Sequence, residues 1–165
     1  MLLMEPVALI EEAAKKAAVA WLAVPGAGPE YLVWTAWFGD ALFVISGPDE
    51  QAAPGLAEAA RADVSLRGDH GGRIVIGPTA VSTVDPSSPE WTEIAPQLAG
   101  KRLNAPGTTD ETVRRWAAAN VLSKLTPAAE PEPLPDGSLA APPRPTSATS
   151  LPKRPFRLHR VRKRP

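Results

Sequence analysis

Aromatic and hydroxyl side chains concentrate between residues 31 and 47, where they could hold a flat molecule that carries a phosphate. Trp34 and Trp37 have indole rings that could stack on a planar ligand, or they could fill a hydrophobic core. Ser46 and Gly47 could offer a hydroxyl and a backbone N–H to a phosphate. The same Ser-Gly-Pro sequence also suits a turn at the end of a strand, so both interpretations stand.

Basic residues supply a second set of candidates for binding an anion. Arg67 and Arg73 flank a glycine-rich turn and could clamp an anion, although charged residues at hairpin ends are often solvated. His70, inside that turn, could act as an acid or a metal ligand, or it could be an exposed turn residue. Lys101-Arg102 could reach a ligand from a partner subunit, or could complement the end of a helix.

Acidic and sulfur chemistry is limited in this sequence. Asp49 and Glu50 could form an acid–base pair, or they could be two solvated carboxylates in a loop. The chain has no Cys, which excludes disulfides, thiolate metal sites and cysteine nucleophiles. With only His70 and His159, a histidine-based metal site or catalytic triad is not expected. The sequence also lacks a glycine-rich phosphate loop of the Walker or Rossmann type.

The stretch from Tyr31 to Ser46 must position the aromatic candidates. It predicts two strands, Tyr31–Phe38 and Ala41–Ser46, joined by a type I′ or II′ turn at Gly39-Asp40. Both strands are apolar on both of their faces. We therefore expect one face to line a barrel interior and the other to be covered by a helix or a subunit.

The remaining elements are predicted from hydrophobic spacing, helix caps and helix breakers. Ser88 and Thr108 are the expected N-caps of two helices, and Pro96 is expected to kink or divide the first of them. Gly77-Pro78 should mark a bulge in its strand or lie at a sheet edge. The other expected elements are a helix over 6–18, strands over 19–24, 63–67, 73–84 and 120–125, and a short helix over 56–60.

Composition divides the chain at residue 127. Residues 1–127 carry 10 basic and 15 acidic residues, whereas residues 128–165 carry 8 and 3, so an acidic body precedes a basic end. Ten of the 20 prolines lie between 127 and 165, which is too dense for regular structure. We expect a folded domain at 1–127 and a disordered, Pro-rich tail at 128–165. The basic end, 153–165, could contact an anionic polymer or a membrane surface, or stay solvated.

Membrane and targeting signals are not evident in the sequence. The apolar run at residues 1–4 is followed at once by Glu5, and it is shorter than the roughly 7–15 apolar residues of a signal peptide. Nothing approaches the ~20 apolar residues of a transmembrane helix. We therefore expect a cytoplasmic protein with no transmembrane segment.

The order of these elements resembles the split-barrel flavoprotein superfamily, which includes pyridoxamine 5'-phosphate oxidase-like proteins and deazaflavin-dependent reductases. The resemblance runs from about Val7 to Thr126. Its most specific portion is Ala41-Leu-Phe-Val-Ile-Ser46, then Ala62-Asp-Val-Ser-Leu-Arg67, then Ile74-Val-Ile-Gly77 leading to Ala80-Val-Ser-Thr-Val84. It implies a mostly β (α+β) fold, in which a split-barrel-like antiparallel sheet has flanking helices.

The resemblance also implies a small planar ligand, either FMN or a deazaflavin (F420), in a groove that commonly lies at the interface of a homodimer. Such proteins hold the phosphate with Ser or Thr hydroxyls and with Lys or Arg after the hairpin. The family's basic residue would fall near Asp49-Glu50-Gln51, where carboxylates would repel a phosphate. Either Arg67 or Arg73 serves instead, or the cofactor differs or is absent.

Two functional hypotheses follow. The first is a flavin- or deazaflavin-binding, oxidoreductase-like protein of the pyridoxamine 5'-phosphate oxidase-like class. Its expected cofactor-binding residues are Trp34, Ser46, Gly47, Arg67 and Arg73, and no residue is assigned a catalytic role. The second is a non-catalytic split-barrel binding or interaction protein that has lost the phosphate site.

Overall fold

A computed structural model of the chain describes residues 6–67 and 74–128. Its helices are α1 (Pro6–Lys16), α2 (Pro89–Lys101) and α3 (Thr109–Ala119). Its strands are β1 (Val19–Ala23), β2 (Tyr31–Trp34), β3 (Ala36–Phe38), β4 (Ala41–Ser46), β5 (Arg61–Arg67), β6 (Ile74–Thr83) and β7 (Val121–Pro127). The predicted turn with His70 and Arg73, and the predicted tail from residue 129 onward, lie outside the described residues. Within 6–67 and 74–128, no helix is long and apolar enough to cross a membrane.

The sheet curls into a nearly closed barrel. Its seven antiparallel strands follow the order β2-β1-β5-β6-β7-β4-β3. The strands at the two ends of this order, β2 and β3, are consecutive in the chain and are separated only by Thr35. Two halves of one chain segment therefore bring the two edges of the sheet together, as barrel closure requires.

The prediction of an uninterrupted strand over Tyr31–Phe38 is wrong at Thr35. The first half pairs with β1 and the second half pairs with β4, so the chain bends where it changes its partner. The Thr35 N–H donates to the Ala18 carbonyl oxygen at 3.1 Å. The predicted turn at Gly39-Asp40 is confirmed, and Gly39 has a φ of 58°, a left-handed conformation that glycine adopts without strain.

Two hydrophobic clusters lie on the two faces of the sheet. One fills the barrel interior and includes Val33, Trp37, Leu42, Val44 and Leu125. The other lies between the outer face of the barrel and the helices, and it includes Phe43, Ile45, Trp91, Leu98, Trp116 and Leu122. All six residues of β4 are buried, which confirms the prediction that both faces of this strand are covered.

The helix caps form as predicted. The Ser88 hydroxyl accepts the Trp91 N–H at 3.1 Å, with Pro89 at the first helical position. The Thr108 N–H donates to Glu111 Oε2 at 2.7 Å and the Glu111 N–H donates to the Thr108 hydroxyl at 3.3 Å, which completes a capping box. The prediction that Pro96 divides α2 is wrong, because the helix continues to Lys101 with Pro96 on its exposed side.

Two further predictions are settled by backbone pairing. The short helix predicted over residues 56–60 does not form; residues 54–58 form turns instead. β6 pairs with β5 in one unbroken register through Gly77 and Pro78, so it contains no bulge there. The Pro78 carbonyl accepts the Ala128 N–H at 3.0 Å, beyond the end of β7. The Pro78 nitrogen, which carries no hydrogen, therefore lies at the margin of the sheet.

Candidate functional site

A cleft of about 260 Å³ opens beside the break between β2 and β3. Trp34, the last residue of β2, forms one wall. Glu50 and Gln51 belong to the loop after β4, and Arg102 and Leu103 follow the end of α2. The cleft therefore lies where the barrel, one loop and the helix layer meet, and we refer to it as the Trp34 cleft.

The loop at residues 47–51 turns back tightly after β4. Gly47 has a φ of 128° and Asp49 a φ of 60°, both in the left-handed region. The Gly47 N–H donates to the Gln51 carbonyl at 3.2 Å and the Glu50 N–H donates to the Gly47 carbonyl at 3.1 Å. A Cβ at position 47 would lie 2.9 Å from Asn120 Nδ2, so only glycine fits without a shift of the neighbouring chain.

Glu50 has the most extensive set of charged contacts in the cleft. Its side chain is only 3% exposed. Oε2 accepts a hydrogen bond from Arg102 Nε at 2.9 Å, and Oε1 accepts one from Trp116 Nε1 at 3.0 Å. Arg115 Nη2 lies 3.6 Å from Oε1 and adds a second positive charge. A buried carboxylate is tolerated when it is paired and hydrogen-bonded in this way, so the interpretation of Glu50 as a solvated loop residue is wrong.

Gln51 ties the same loop to the barrel. Its Oε1 accepts the Trp34 N–H at 2.6 Å, and its Nε2 donates to the Trp34 carbonyl at 2.7 Å and to the Ile45 carbonyl at 3.1 Å. The amide thus replaces the backbone partners that β2 lacks where it separates from β3. Glu50 fixes the loop to the helices while Gln51 fixes it to the strands, so both walls of the cleft are held.

Arg102 lines the cleft and has donors that bind no other described residue. Its Nε is bound to Glu50, and its Nη1 donates to the Leu103 carbonyl at 2.7 Å. Within residues 6–67 and 74–128, no hydrogen bond engages Nη2. The side chain is 31% exposed, so solvent or a ligand can reach it. Arg102 and Arg115 bring two positive charges to a loop with two carboxylates, so these formal charges sum to zero rather than to the negative charge that Asp49-Glu50 suggested.

The predicted site residues are only partly brought together. Trp34 lines the cleft. Ser46 is buried at the end of β4, where its carbonyl accepts Asn120 Nδ2 at 3.4 Å, and the Gly47 N–H is already bonded within the loop. Arg67 is exposed at the end of β5 and does not line the cleft. Arg73 lies outside the described residues.

Two other candidates from the sequence, Trp37 and Lys101, pack against other parts of the fold. Trp37 points into the barrel interior and is 8% exposed. Lys101 Nζ lies 4.5 Å from the centre of the Phe38 ring, in a cation–π contact. Arg115 and Trp116 were not identified from the sequence, because nothing local to α3 indicates that they contact a carboxylate 65 residues earlier in the chain.

A second cleft of about 250 Å³ lies at the other end of the helix layer, where Phe38, Asp40, Glu90 and Glu93 are among its lining residues. Lys124 Nζ binds Glu90 Oε1 at 2.8 Å. This hydrogen bond raises the pKa of Lys124, with the charges of Glu90 and Asp40 acting in the same direction against the effect of burial. Among the described residues, its acidic side chains form no group that could hold a metal ion.

The outer face of β1 and β2 is apolar and uncovered by any described element. Val19, Trp21 and Leu32 are 46%, 48% and 49% exposed, and Trp21 pairs directly with Leu32 across the two strands. Asp63 and Arg67 are exposed on β5, the next strand. We refer to Val19, Trp21 and Leu32 as the β1–β2 patch. It adjoins the Trp34 cleft, because Val19 is the partner of Trp34 in the sheet.

Comparison with known proteins shows similarity at the level of structure. No protein-family model and no curated protein sequence matches the chain. The heme storage protein HutZ from Vibrio cholerae has a similar structure, with a TM-score of 0.54 and 17% identity over 78% of this chain and 94% of that chain. An inferred pyridoxamine 5'-phosphate oxidase from Listeria innocua gives a TM-score of 0.52 at 15% identity, over 76% of this chain and 95% of that one.

An inferred 5-nitroimidazole antibiotic resistance protein from Bacteroides thetaiotaomicron is also similar, with a TM-score of 0.51 and 14% identity over 75% of this chain and 81% of that chain. These TM-scores show a shared fold, and at identities this low the comparison shows the fold alone. The predicted split-barrel fold, with its antiparallel sheet and flanking helices, is therefore confirmed.

Proposed function

We propose that this chain binds a planar cofactor of the flavin or deazaflavin class in the Trp34 cleft and takes part in a redox reaction with it. The observation that carries the proposal is the meeting of an aromatic ring, Trp34, and a guanidinium with free donors, Arg102, in one cleft. An indole can stack on a flat ring system, and a guanidinium can bind an anionic substituent of that ring.

The size of the cleft fits part of such a cofactor. Sites that enclose a drug-sized ligand have volumes of roughly 300–1,000 Å³. The cleft has about 260 Å³ and is open to solvent on one side. Leu103, 79% exposed at its rim, offers apolar surface that a ligand or a partner would cover. The chain alone therefore encloses only part of such a cofactor.

The cofactor, when bound, would supply the electron-transfer chemistry, and the protein would bind and orient it. Trp34 would stack on the ring, and its position is fixed by the Gln51 amide. Arg102 would bind a negatively charged or hydrogen-bond-accepting substituent. Glu50 is held by two arginines and by Trp116, so we assign it no proton-transfer role.

Heme is a less suitable ligand for this cleft, although HutZ, a structural neighbour, is a heme storage protein. Heme iron is commonly held by His, Cys, Met or Tyr side chains. Residues 6–67 and 74–128 contain no His, Cys or Met. Their one Tyr, Tyr31, donates its hydroxyl to the Pro54 carbonyl at 2.9 Å, and burial raises its pKa. The residues that line the cleft favour a flavin-class ring.

We also propose that a second copy of this chain completes the site. The β1–β2 patch exposes three large apolar side chains next to the cleft, which is unusual for a face that contacts only water. Asp63 and Arg67 project from the neighbouring strand with opposite charges. In a two-fold dimer each residue can meet the other on the partner, so the surface is self-complementary.

The charge pair gives a direct test of the dimer. Arg67→Asp is expected to weaken self-association, because it places two acidic residues opposite two others. Asp63→Arg combined with Arg67→Asp restores opposite charges and is expected to restore the dimer. Sedimentation velocity over a range of protein concentrations measures both effects, and an exclusively monomeric wild-type chain would exclude this part of the proposal.

The competing function is that of a non-catalytic split-barrel binding protein. One observation favours it: Glu50, the carboxylate of the cleft, is engaged in ion pairs with two arginines. The described residues that line the cleft therefore include no free acid–base group. The two functions differ in what happens after binding. A bound flavin or deazaflavin that is reduced by a nicotinamide donor and reoxidised in turnover supports the oxidoreductase.

Cofactor titration tests binding in the cleft itself. Purified protein is titrated with FMN, riboflavin and a deazaflavin while cofactor fluorescence is recorded. Trp34→Ala is expected to weaken binding about tenfold, since aromatic stacking is worth about 0.5–1.5 kcal/mol beyond the surface that it buries. Trp34→Phe keeps an aromatic face and should retain most of the affinity. Absence of saturable binding by the wild type would exclude the proposal.

A further inference from the structure

Glu50 lies at the base of the Trp34 cleft, and among the described residues that line the cleft it is the single carboxylate. Its side chain is 3% exposed, whereas its partners Arg102 and Arg115 are 31% and 28% exposed. Arg102 lines the cleft, whereas Arg115 does not, and the Nε and Nη2 of Arg115 are buried. A ligand that enters from solvent therefore meets the Arg102 guanidinium and has the Glu50 carboxylate behind it.

This arrangement limits the charge that a ligand can bring to Arg102. The Nε of Arg102 is already bound to Glu50, and Arg115 lies 3.6 Å from the same carboxylate. Counting Asp49 of the same loop, the two arginines balance two carboxylates, so the residues around the cleft offer a phosphate dianion no net positive charge. Glu50 would in addition repel the phosphate, and burial weakens the solvent screening of that repulsion.

We propose that Glu50 is a specificity-determining residue, which makes the Trp34 cleft select flavin-class ligands with little or no charge beside Arg102 over those with a phosphate dianion. The inference rests on the proposed function, since it concerns the ligand of the same cleft. It goes further in naming the ligand class: riboflavin-like molecules, whose side chain is uncharged, are preferred to FMN.

Asp49 provides a matched control for this role. It adjoins Glu50 and carries the same charge, but its side chain is exposed and does not line the cleft. Asn tolerates the left-handed backbone at this position, where φ is 60°, so Asp49→Asn removes one charge with little strain. Any general effect of making the loop less acidic will appear in this variant as well.

The experiment compares dissociation constants for riboflavin and FMN in the wild type, Glu50→Gln and Asp49→Asn. The wild type is expected to bind riboflavin at least as tightly as FMN. Glu50→Gln should improve the affinity for FMN relative to riboflavin about tenfold, because a buried charge near the phosphate is removed. Asp49→Asn should change this ratio less than about twofold, because an exposed charge is screened. The difference should shrink in 1 M salt.

A structural role for Glu50 predicts a different outcome. If Glu50 only holds Arg102 and Trp116 in place, Glu50→Gln would weaken the binding of riboflavin and of FMN to the same extent. An unchanged ratio of the two dissociation constants therefore overturns the proposal. Tighter binding of FMN than of riboflavin by the wild type overturns it too. Where Glu50→Gln does not fold, Arg115→Gln serves instead, since loss of a positive charge should shift the ratio about as far against FMN.

Inorganic phosphate separates this inference from the proposed function. The melting temperature of each variant is measured in phosphate and in chloride at equal ionic strength. Phosphate should stabilise Glu50→Gln and leave the wild type unaffected. Equal stabilisation of the two proteins overturns the role of Glu50, whatever the flavin titrations show. Failure of every variant to bind any flavin excludes the proposed function instead.

Discussion

The two flanks of the barrel's outer face differ in what covers them. On the flank formed by β3, β4 and β7, α2 and α3 bury Phe43 and Ile45 to 2% and 0% exposure. On the flank formed by β1 and β2, Trp21 and Leu32 remain 48% and 49% exposed. Both sets of side chains are large and apolar. An apolar strand face therefore requires a cover, but the strand itself does not specify whether that cover is a helix of the same chain or a partner.

The Trp34 cleft lies at the boundary between the two flanks. Trp34 packs against the helix-covered cluster, and its backbone pairs with Val19 of the uncovered patch. Arg102 and Glu50 come from the covered side. A ligand in the cleft would therefore contact residues fixed by the fold on one side and residues exposed for a partner on the other.

The largest expected effect is on the covered flank. Trp116 is 0% exposed and donates its indole N–H to Glu50. Trp116→Ala should lower the free energy of unfolding by about 3–5 kcal/mol, as for other large-to-small substitutions in cores. Trp21→Ala, on the uncovered flank, should cost the isolated chain less than about 1 kcal/mol. Urea denaturation of both variants measures this, and equal losses would mean that the flanks do not differ.

A smaller loss of stability is expected at the boundary between the two flanks, where the Trp34 cleft lies. Gln51→Ala removes three hydrogen bonds to the backbone of Trp34 and Ile45, and should cost about 1–3 kcal/mol because partly buried backbone groups lose their partners. Gln97→Ala is the matched control, since Gln97 is exposed and bonds only one carbonyl of its own helix at 3.0 Å. Thermal unfolding would contradict the interpretation if the two variants were equally stable.

The uncovered flank should respond in assembly rather than in folding. Leu32→Glu places a charge in the β1–β2 patch and should weaken self-association about tenfold or more, while the unfolding of the isolated chain changes little. Val121→Glu, a comparable change at a 36% exposed residue of β7, is the control. Size-exclusion chromatography with light scattering measures the outcome. An identical assembly of the two variants would place the interface elsewhere.

The smallest expected effect is a pH dependence at the start of α3. The pKa of Glu111 is lowered from its usual value of 4.5, chiefly by a hydrogen bond from the Thr108 N–H and to a smaller extent by one from the Thr108 hydroxyl. A lowered pKa in the folded state gives stability that is complete above the unfolded value and is lost as the pH falls through the folded value. Glu111→Gln should therefore differ from the wild type at pH 7 and converge with it in acid. A constant difference across that range would contradict the assignment.

Local sequence signals predicted much of the fold. Ser88 and Thr108 cap their helices because each bonds an N–H three residues away, and such a pattern is complete within a few positions. Gly39-Asp40 closes its turn for the same local reason. Trp34 was likewise identified as a candidate ligand-binding residue from its type and its place in an apolar strand. Arg102 was identified only as one member of a basic pair.

The sequence by itself determined most of the strands and helices, that β4 must be buried on both faces, and that Trp34 belongs to an apolar strand. Only the tertiary structure decided that the chain bends at Thr35, that Glu50 is buried between Arg102 and Arg115, and that these two arginines balance the charge of the acidic loop. The physical reason is distance along the chain. Caps and turns depend on neighbours a few residues away, whereas the charge state of the cleft depends on ion pairs between residues more than 50 positions apart.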